Sequence, residues 1–547
     1  MNDPSSTRWI GLAGLALGLA LIIVDATIVN VAIPSIINDL QLELTDAEWV
    51  NTVYSLVFAA LLITVGRLGD LFGRKRMYLI GLAVFIVASL LAARSDSGAQ
   101  LVGARALQGI GAAFILPSTL SSVNAMFRGR ERAIAFGIWG SVIGGMAALG
   151  PLLGGWLTTD YSWHWAFYIN LPIGLVAATI TMLTVPETRE FTAQRGLDPL
   201  GIVTSALGLG GLVFGLIEGE RYGWWRPTAP FRIGSWEWPL DQLAPAPVAL
   251  LVAAIFLPLF TVYQYLRIRQ GRPVLLDLRL FRYPSFRWGN VAALIVSLGE
   301  FGIIFVLPLY LQSVLGYTAF QTGVVLVAVA LGAFLGGPAA ASLAQRFGAR
   351  QVVRAGMLLE AIGLLGIIPF LDPTTTGWRI APALFVYGLG VGLATAQLTS
   401  VILAEVPTVQ SGQASGTQST TRQVGAALGI ALLGTVLAAS LGSGTQSRLE
   451  QLPGLPPAQA AALAQATKQS AGQILLQLRA QPGTEPIVRA IEDAFTVAAH
   501  RTALVAAAFI AVGFIASWLI PDIRPSRDEP SHPTRREVPA QTVSQGS

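Results

Sequence analysis

Gly66-Arg67-Leu68-Gly69-Asp70-Leu71-Phe72-Gly73-Arg74-Lys75 has an echo 275 residues further on, Ala341-Ser342-Leu343-Ala344-Gln345-Arg346-Phe347-Gly348-Ala349-Arg350. Leucine, phenylalanine, glycine and a basic end recur in register. The same shift carries Gly150 and Gly154 onto Gly425 and Gly429, and Asp25 onto Glu300. Glycines 109 and 111 fit Gly388 and Gly390 only with a shift of 279. The chain therefore reads as two related halves, and both copies of the decamer lie between long apolar runs.

Fourteen such runs occur, near residues 9–33, 49–66, 77–93, 101–123, 133–157, 165–185, 199–217, 244–266, 288–311, 320–344, 352–371, 380–404, 411–441 and 501–520. Each approaches or exceeds the ~20 residues that cross a bilayer as a helix. Only 12% of the 547 residues are charged and mean hydropathy is +0.62, against about 25% charged in soluble domains. The expected architecture is an all-α membrane protein with 14 transmembrane helices. Two six-helix halves, 9–185 and 288–520, flank an inserted pair at 199–266. Parallel halves of this kind handle substrate at their interface near the midplane. A short tail precedes the first run (1–8), and 521–547, rich in proline and charge, reads as a disordered tail. Residues 442–500 read as an external, partly helical loop, and the tryptophans at 224, 225, 236 and 238 as an interfacial anchor or a substrate vestibule.

An even number of spans puts both termini on one side. With Arg105 and Arg422 counted as intramembrane, 23 basic residues fall on that side and 10 on the other, so both termini should be cytoplasmic. The basic residues occupy short loops between spans, which accounts for the net charge of +5 without a nucleic-acid partner. With no cysteine and three scattered histidines, no thiolate chemistry and no metal centre is expected. Neither lysine stands in a phosphate-binding Gly-x-x-x-x-Gly-Lys-Ser/Thr loop, so the chain carries no ATP site of that kind.

The candidate residues are those a bilayer makes costly. Asp25, Glu300 and Glu360 fall inside uncharged spans, where an ionised carboxylate costs roughly 2.5–3.5 kcal/mol on insertion scales. Such a group either gains and loses a proton during a cycle or is held by a neighbouring helix. Arg105 and Arg422 are the available countercharges, although Arg105 could equally snorkel to an interface. In the first decamer the basic residues Arg67, Arg74 and Lys75 satisfy loop topology. That topology does not require Asp70, or glycines at 66, 69 and 73. Asp70 can accept from a helix N-terminus or an arginine, forming a latch between helices. Gly150, Pro151, Gly154 and Gly155 allow close packing and a kink, for packing or for gating.

These segments resemble signatures of the major facilitator superfamily. Residues 66–76 are similar to its cytoplasmic motif, 150–155 to its antiporter motif, and 101–112, with Arg105, Gln108, Gly109 and Gly111, to its fourth-helix motif. Asp25-Ala26-Thr27-Ile28-Val29-Asn30 with Pro34, Trp163 through Pro172, and Pro308 through Gln312 resemble the fourteen-helix drug:proton antiporter branch. The resemblance implies the major facilitator fold and a multi-pass protein of the cell membrane. Its activity would be export of hydrophobic or cationic small molecules in exchange for protons, with the proton gradient as energy source and no cofactor. A dedicated exporter of one endogenous metabolite, antibiotic or lipid is the alternative. An enzyme would need a reactive cluster at one depth, which the sequence lacks.

Overall fold

A computed structural model describes residues 4–42, 44–188, 196–233, 236–239 and 241–522. Most of the expected tail 521–547 lies outside them. Each apolar run coincides with a helix: α1 Pro4–Leu40, α2 Leu44–Phe72, α3 Arg74–Ala92, α4 Gly98–Met126, α5 Gly129–Asp160, α6 Trp165–Thr184, α7 Pro199–Ile217, α8 Pro245–Arg269, α9 Pro284–Ser313, α10 Ala319–Phe347, α11 Ala349–Ile367, α12 Ala381–Ile402, α13 Ser411–Leu449 and α14 Glu485–Ala516. Among the described residues twelve helices are long and apolar enough to cross a membrane. The bent α5 brings the number to thirteen. The 30-residue α9 is not among them, so fourteen crossings stand as the reading of the sequence alone.

Local chemistry sets the boundaries. Thr318 and Gln321 form a reciprocal capping box that starts α10. Asp198 accepts from Gly201 N ahead of Pro199 to start α7. The break in α5 falls between Ala147 and Leu149, with a bend of 41°. Pro151 lacks the N–H that would bond the Ala147 carbonyl, which places the bend there. The expected tail 1–8 turns out differently, and the helical part of the expected loop 442–500 is extensive. Residues 4–8 of the presumed tail belong to α1, and most of 442–500 is helical: α13 runs on to Leu449, Pro457–Gln469 and Ile474–Arg479 are helices, and α14 begins at Glu485. At 39 residues α13 is about 58 Å long, nearly twice a hydrocarbon core. It therefore projects beyond it, and Leu449, Ala460 and Ala490 close a small core out there. A two-residue β-hairpin, Arg232–Ile233 with Trp236–Glu237, is the one sheet among the described residues.

The repeat is carried in packing. In the first half α1 packs on α5 and α6, α2 on α4, and α3 on α4; in the second, α9 packs on α13 and α14, α10 on α12, and α11 on α12. Glycines make these approaches possible. A Cβ at Gly154 would press on Ile28 of α1 at 3.0 Å, and one at Gly429 would meet the Leu298 carbonyl of α9. The halves join through α2 against α13 and α5 against α10, two contacts that the repeat interchanges. The inserted α7 and α8 pack on each other, with α7 also on α2 and α13.

Candidate transport site

Asp25 lies midway along α1 and is fully buried. Its carboxylate pairs with the Arg105 guanidinium of α4, and its other oxygen accepts from Gln108 Nε2 at 2.9 Å and Asn170 Nδ2 at 2.7 Å. Ser89 of α3 accepts from both amides. Arg105 also donates to the Val50 carbonyl at 2.9 Å and lies 4.3 Å from the Tyr54 ring. It is fully buried, so it is a countercharge and does not snorkel. A buried acid with four donors and acceptors around it from three further helices is held in one geometry.

The second half is sparser. Glu300 of α9 is paired with Arg422 of α13 at 3.2 Å. Tyr387 of α12 donates to the Glu300 main-chain carbonyl at 3.4 Å. Glu360 of α11 is fully buried, and neither of its carboxyl oxygens has a hydrogen-bond partner. A Cβ at Gly390 of α12 would press on the Glu360 side chain, and the acid is near enough to Glu300 and Arg422 to interact with both electrostatically.

Between the halves is a cavity of about 580 Å³. Its wall is mostly apolar, with Tyr54, Phe58 and Trp139 among it, and its charged lining groups are Arg105, Arg422, Glu218 and Arg221. Asp25 and Glu300 are not on the wall; each stands behind its arginine. The cavity therefore presents the two arginines, with the two acids behind them.

At the other end of the halves Asp70, near the end of α2, accepts from Gly412 N at 2.8 Å and Gln413 N at 2.9 Å. These are free amides of the first turn of α13, where the helix dipole favours an anion. Arg74 donates to Asp70 at 3.2 Å and to the Thr408 carbonyl at 2.5 Å. Gly66 lets α2 and α13 touch there, since a Cβ would meet the Gly412 carbonyl. Lys75 donates to the Met182 carbonyl at 2.8 Å, and Arg67 is buried beside Asp70. Of the antiporter-like residues, Gly150 and Gly154 face α1 at Thr27 and Ile28, one turn beyond Asp25, whereas Gly155 faces Phe320 of α10.

The sequence reading did not single out several participants. Glu187, after α6, accepts from Lys75 N and Arg76 N and caps α3. Asp277, after α8, donates its N–H to Gln413 and accepts from Gln410, which ties it to the start of α13. Burial would push Asp277 up, but hydrogen bonds from Arg279 and Gln410 outweigh it and hold the carboxyl below its ordinary range. Asn170 and Ser89 complete the Asp25 cluster. Glu218 reaches the cavity from the inserted pair. The four loop tryptophans do not line the cavity.

Two pseudo-equivalent helical halves, joined by exchangeable contacts around a cavity with buried acid–arginine pairs, define a membrane transporter rather than an enzyme. The sequence profile of the Major Facilitator Superfamily matches residues 15–430, and the chain belongs to that superfamily. It is 33% identical to the multidrug resistance protein Stp of Mycobacterium tuberculosis, covering 94% of this chain and 92% of Stp. It is 32% identical to the tetracenomycin C resistance and export protein of Streptomyces glaucescens, over 84% of this chain and 82% of that one. The fold is similar to that of an inward-facing bacterial homologue of the lysosomal transporter Spinster, with TM-score 0.51 at 18% identity, covering 95% of this chain and 98% of that one.

Proposed function

We propose that the chain exports hydrophobic or cationic small molecules, drugs or antibiotics among them, across the cell membrane in exchange for protons. The observation that carries this reading is the placement of Asp25 and Glu300 behind the cavity arginines. Protonating either acid removes the charge that holds its arginine, and a released arginine changes what the cavity can bind; substrate and proton then compete through one side chain. Glu360, beside the second pair, is a further proton acceptor. The latch at Asp70 closes one end of the halves and opens as they rock. Residues 150–155 hold α5 against α1 and α10 while α5 bends. Both termini, and the latch, are cytoplasmic. The relatives named for multidrug resistance and for antibiotic export support the substrate class.

The test is the purified chain in liposomes with an internal pH dye, challenged with lipophilic cations. Proton movement that depends on substrate, and is lost in Asp25→Asn or Glu300→Gln, supports exchange. Substrate movement without proton flux, unchanged in both variants, sinks it. The relative named for tetracenomycin C export favours a second reading, a dedicated exporter of one endogenous product; transport confined to a single compound among many would select it.

A further inference from the structure

The cavity's charged wall is uneven in a way the two halves do not explain. Three arginines line it, and each has an acid: Asp25 for Arg105, Glu300 for Arg422 and Glu218 for Arg221. The first two acids are sealed behind their partners. Glu218 alone is on the wall together with its arginine, and it belongs to neither half. It is the residue that ends α7, in the inserted pair.

From this we infer that Glu218 is the group through which the cavity recognises a positively charged substrate. Its Oε1 accepts from Thr52 of α2 at 2.5 Å, and its Oε2 is 3.6 Å from the Arg221 guanidinium. The hydroxyl fixes the carboxylate in place, and the arginine is close enough to neutralise it. A carboxylate has more acceptor sites than these two contacts fill. The setting also favours a cation. Glu218 caps the C-terminus of α7, whose macrodipole adds partial negative charge. Asn51, Thr52, Ser55 and Phe58 bring one stretch of α2 to the cavity wall, and Trp139 lines it from α5; the rings of Phe58 and Trp139 supply faces for a cation. Two residues on, Glu220 accepts from Thr435 of α13 at 3.2 Å. The segment after α7 is thus tied to α2 of one half and α13 of the other. A lipophilic cation takes Arg221's place at Glu218 with its apolar body against the rings. The inserted pair thereby acts as a specificity element, apart from the repeat that performs the exchange.

The inference rests on the cavity being the substrate site. Equilibrium binding separates it from the exchange reading, because binding needs no proton gradient. The full chain in nanodiscs is titrated with tetraphenylphosphonium and with uncharged triphenylphosphine oxide, as wild type, Glu218→Gln and Glu218→Asp. Glu218→Gln should weaken binding of the cation by about tenfold and leave the neutral compound within about twofold, with Glu218→Asp between. Equal losses for both compounds would make Glu218 a structural residue and overturn the inference. So would an unchanged cation affinity, or failure of the wild type to bind the cation. Charge-selective binding without proton flux in liposomes would instead sink exchange and keep this assignment.

Discussion

The segment at Gly73 and its counterpart at Gly348 share a backbone and differ in charge. Both glycines turn the chain from one helix into the next with positive φ, 107° and 86°. Each faces an acid from beyond the last helix of its own half, Glu187 in one case and Asp522 in the other. Asp70 and Arg74, however, correspond to Gln345 and Ala349. Where Asp70 locks onto the first turn of α13, Gln345 is exposed beside a cavity of about 390 Å³ lined also by Asn124, Arg132 and Thr408. The turn belongs to the fold and is needed twice. The contact of Asp70 with α13 is built once, so one end of the interface is pinned by charge on one side of the repeat only.

The same contrast holds at the buried acids, and it gives the largest expected effect. Asp25 is gripped by Arg105, Gln108 and Asn170, whereas Glu300 has a single arginine and a neighbour, Glu360, with no hydrogen bond. Asp25→Asn should reduce proton-linked export in liposomes to the level of empty vesicles. Glu300→Gln should leave a measurable fraction, because Glu360 stands beside it to accept a proton. The reverse order would move the coupling acid to the second half.

Next comes the latch. Asp70→Asn removes a charge from a buried arginine and a helix N-terminus, at a cost of about 1–3 kcal/mol. Since the chain has no cysteine, Ser415→Cys is a single reporter in α13, buried at the latch. Asp70→Asn should speed its labelling by about tenfold or more, and Gln345→Asn should leave it unchanged. Equal effects from both would mean that the halves are pinned alike.

How far this was legible beforehand follows the same division. Hydropathy and loop charge outlined the helices, and the shift of 275 foretold which helices would be equivalent. The shift of 279 proves consistent with the packing: Gly109 and Gly388 face α2 and α10, while Gly111 and Gly390 face α3 and α11. The rarity of acids and arginines in apolar runs picked out Asp25, Arg105, Glu300, Arg422 and Glu360. Their partnering was not legible: Ser89 and Val50 come from other helices and carry no signal on their own, and the resemblance that took in Asn170 gave no hint that it meets Asp25. Glu218 was hidden at the edge of an apolar run among loop tryptophans. Its one clue is an arginine three residues on, the spacing of a helical ion pair. The projection of α13 beyond its apolar run was missed because residues 442–449, Gly-Ser-Gly-Thr-Gln-Ser-Arg-Leu, are polar and glycine-rich, and helix there goes with packing against Pro457–Gln469 and α14 rather than with the bilayer.

A third pair of variants tests the shared part of the comparison. Gly73→Ala and Gly348→Ala each force an L-residue into positive φ, at about 1–2 kcal/mol. Each also pushes a Cβ to within 2.5 Å of Glu187 or 2.9 Å of Asp522. The two should lower Tm by similar amounts. A loss at one site only would show that the turn is not equivalent in the halves after all.

The smallest effect concerns Asp277, which follows the inserted pair and which the shift of 275 carries back onto Asn2, a residue without its charge. It holds Gln410 and Gln413 at the start of α13, so it braces the same helix end that Asp70 grips. Its carboxyl is depressed in the folded chain: burial raises it, and the hydrogen bonds from Arg279 and Gln410 more than reverse that. A depressed acid contributes stability above its unfolded value, near 3.9, and loses it as pH falls through the folded value. Arg279 is largely exposed, which limits the contribution to about 0.5 kcal/mol. Asp277→Asn should therefore raise Ser415→Cys labelling about twofold at pH 7, less than Asp70→Asn does. The difference from wild type should shrink as pH falls below the ordinary carboxylate range. A pH-independent difference would mean that Asp277 braces α13 by the shape of its side chain rather than by its charge, and that Asp70 supplies the only acid in the latch.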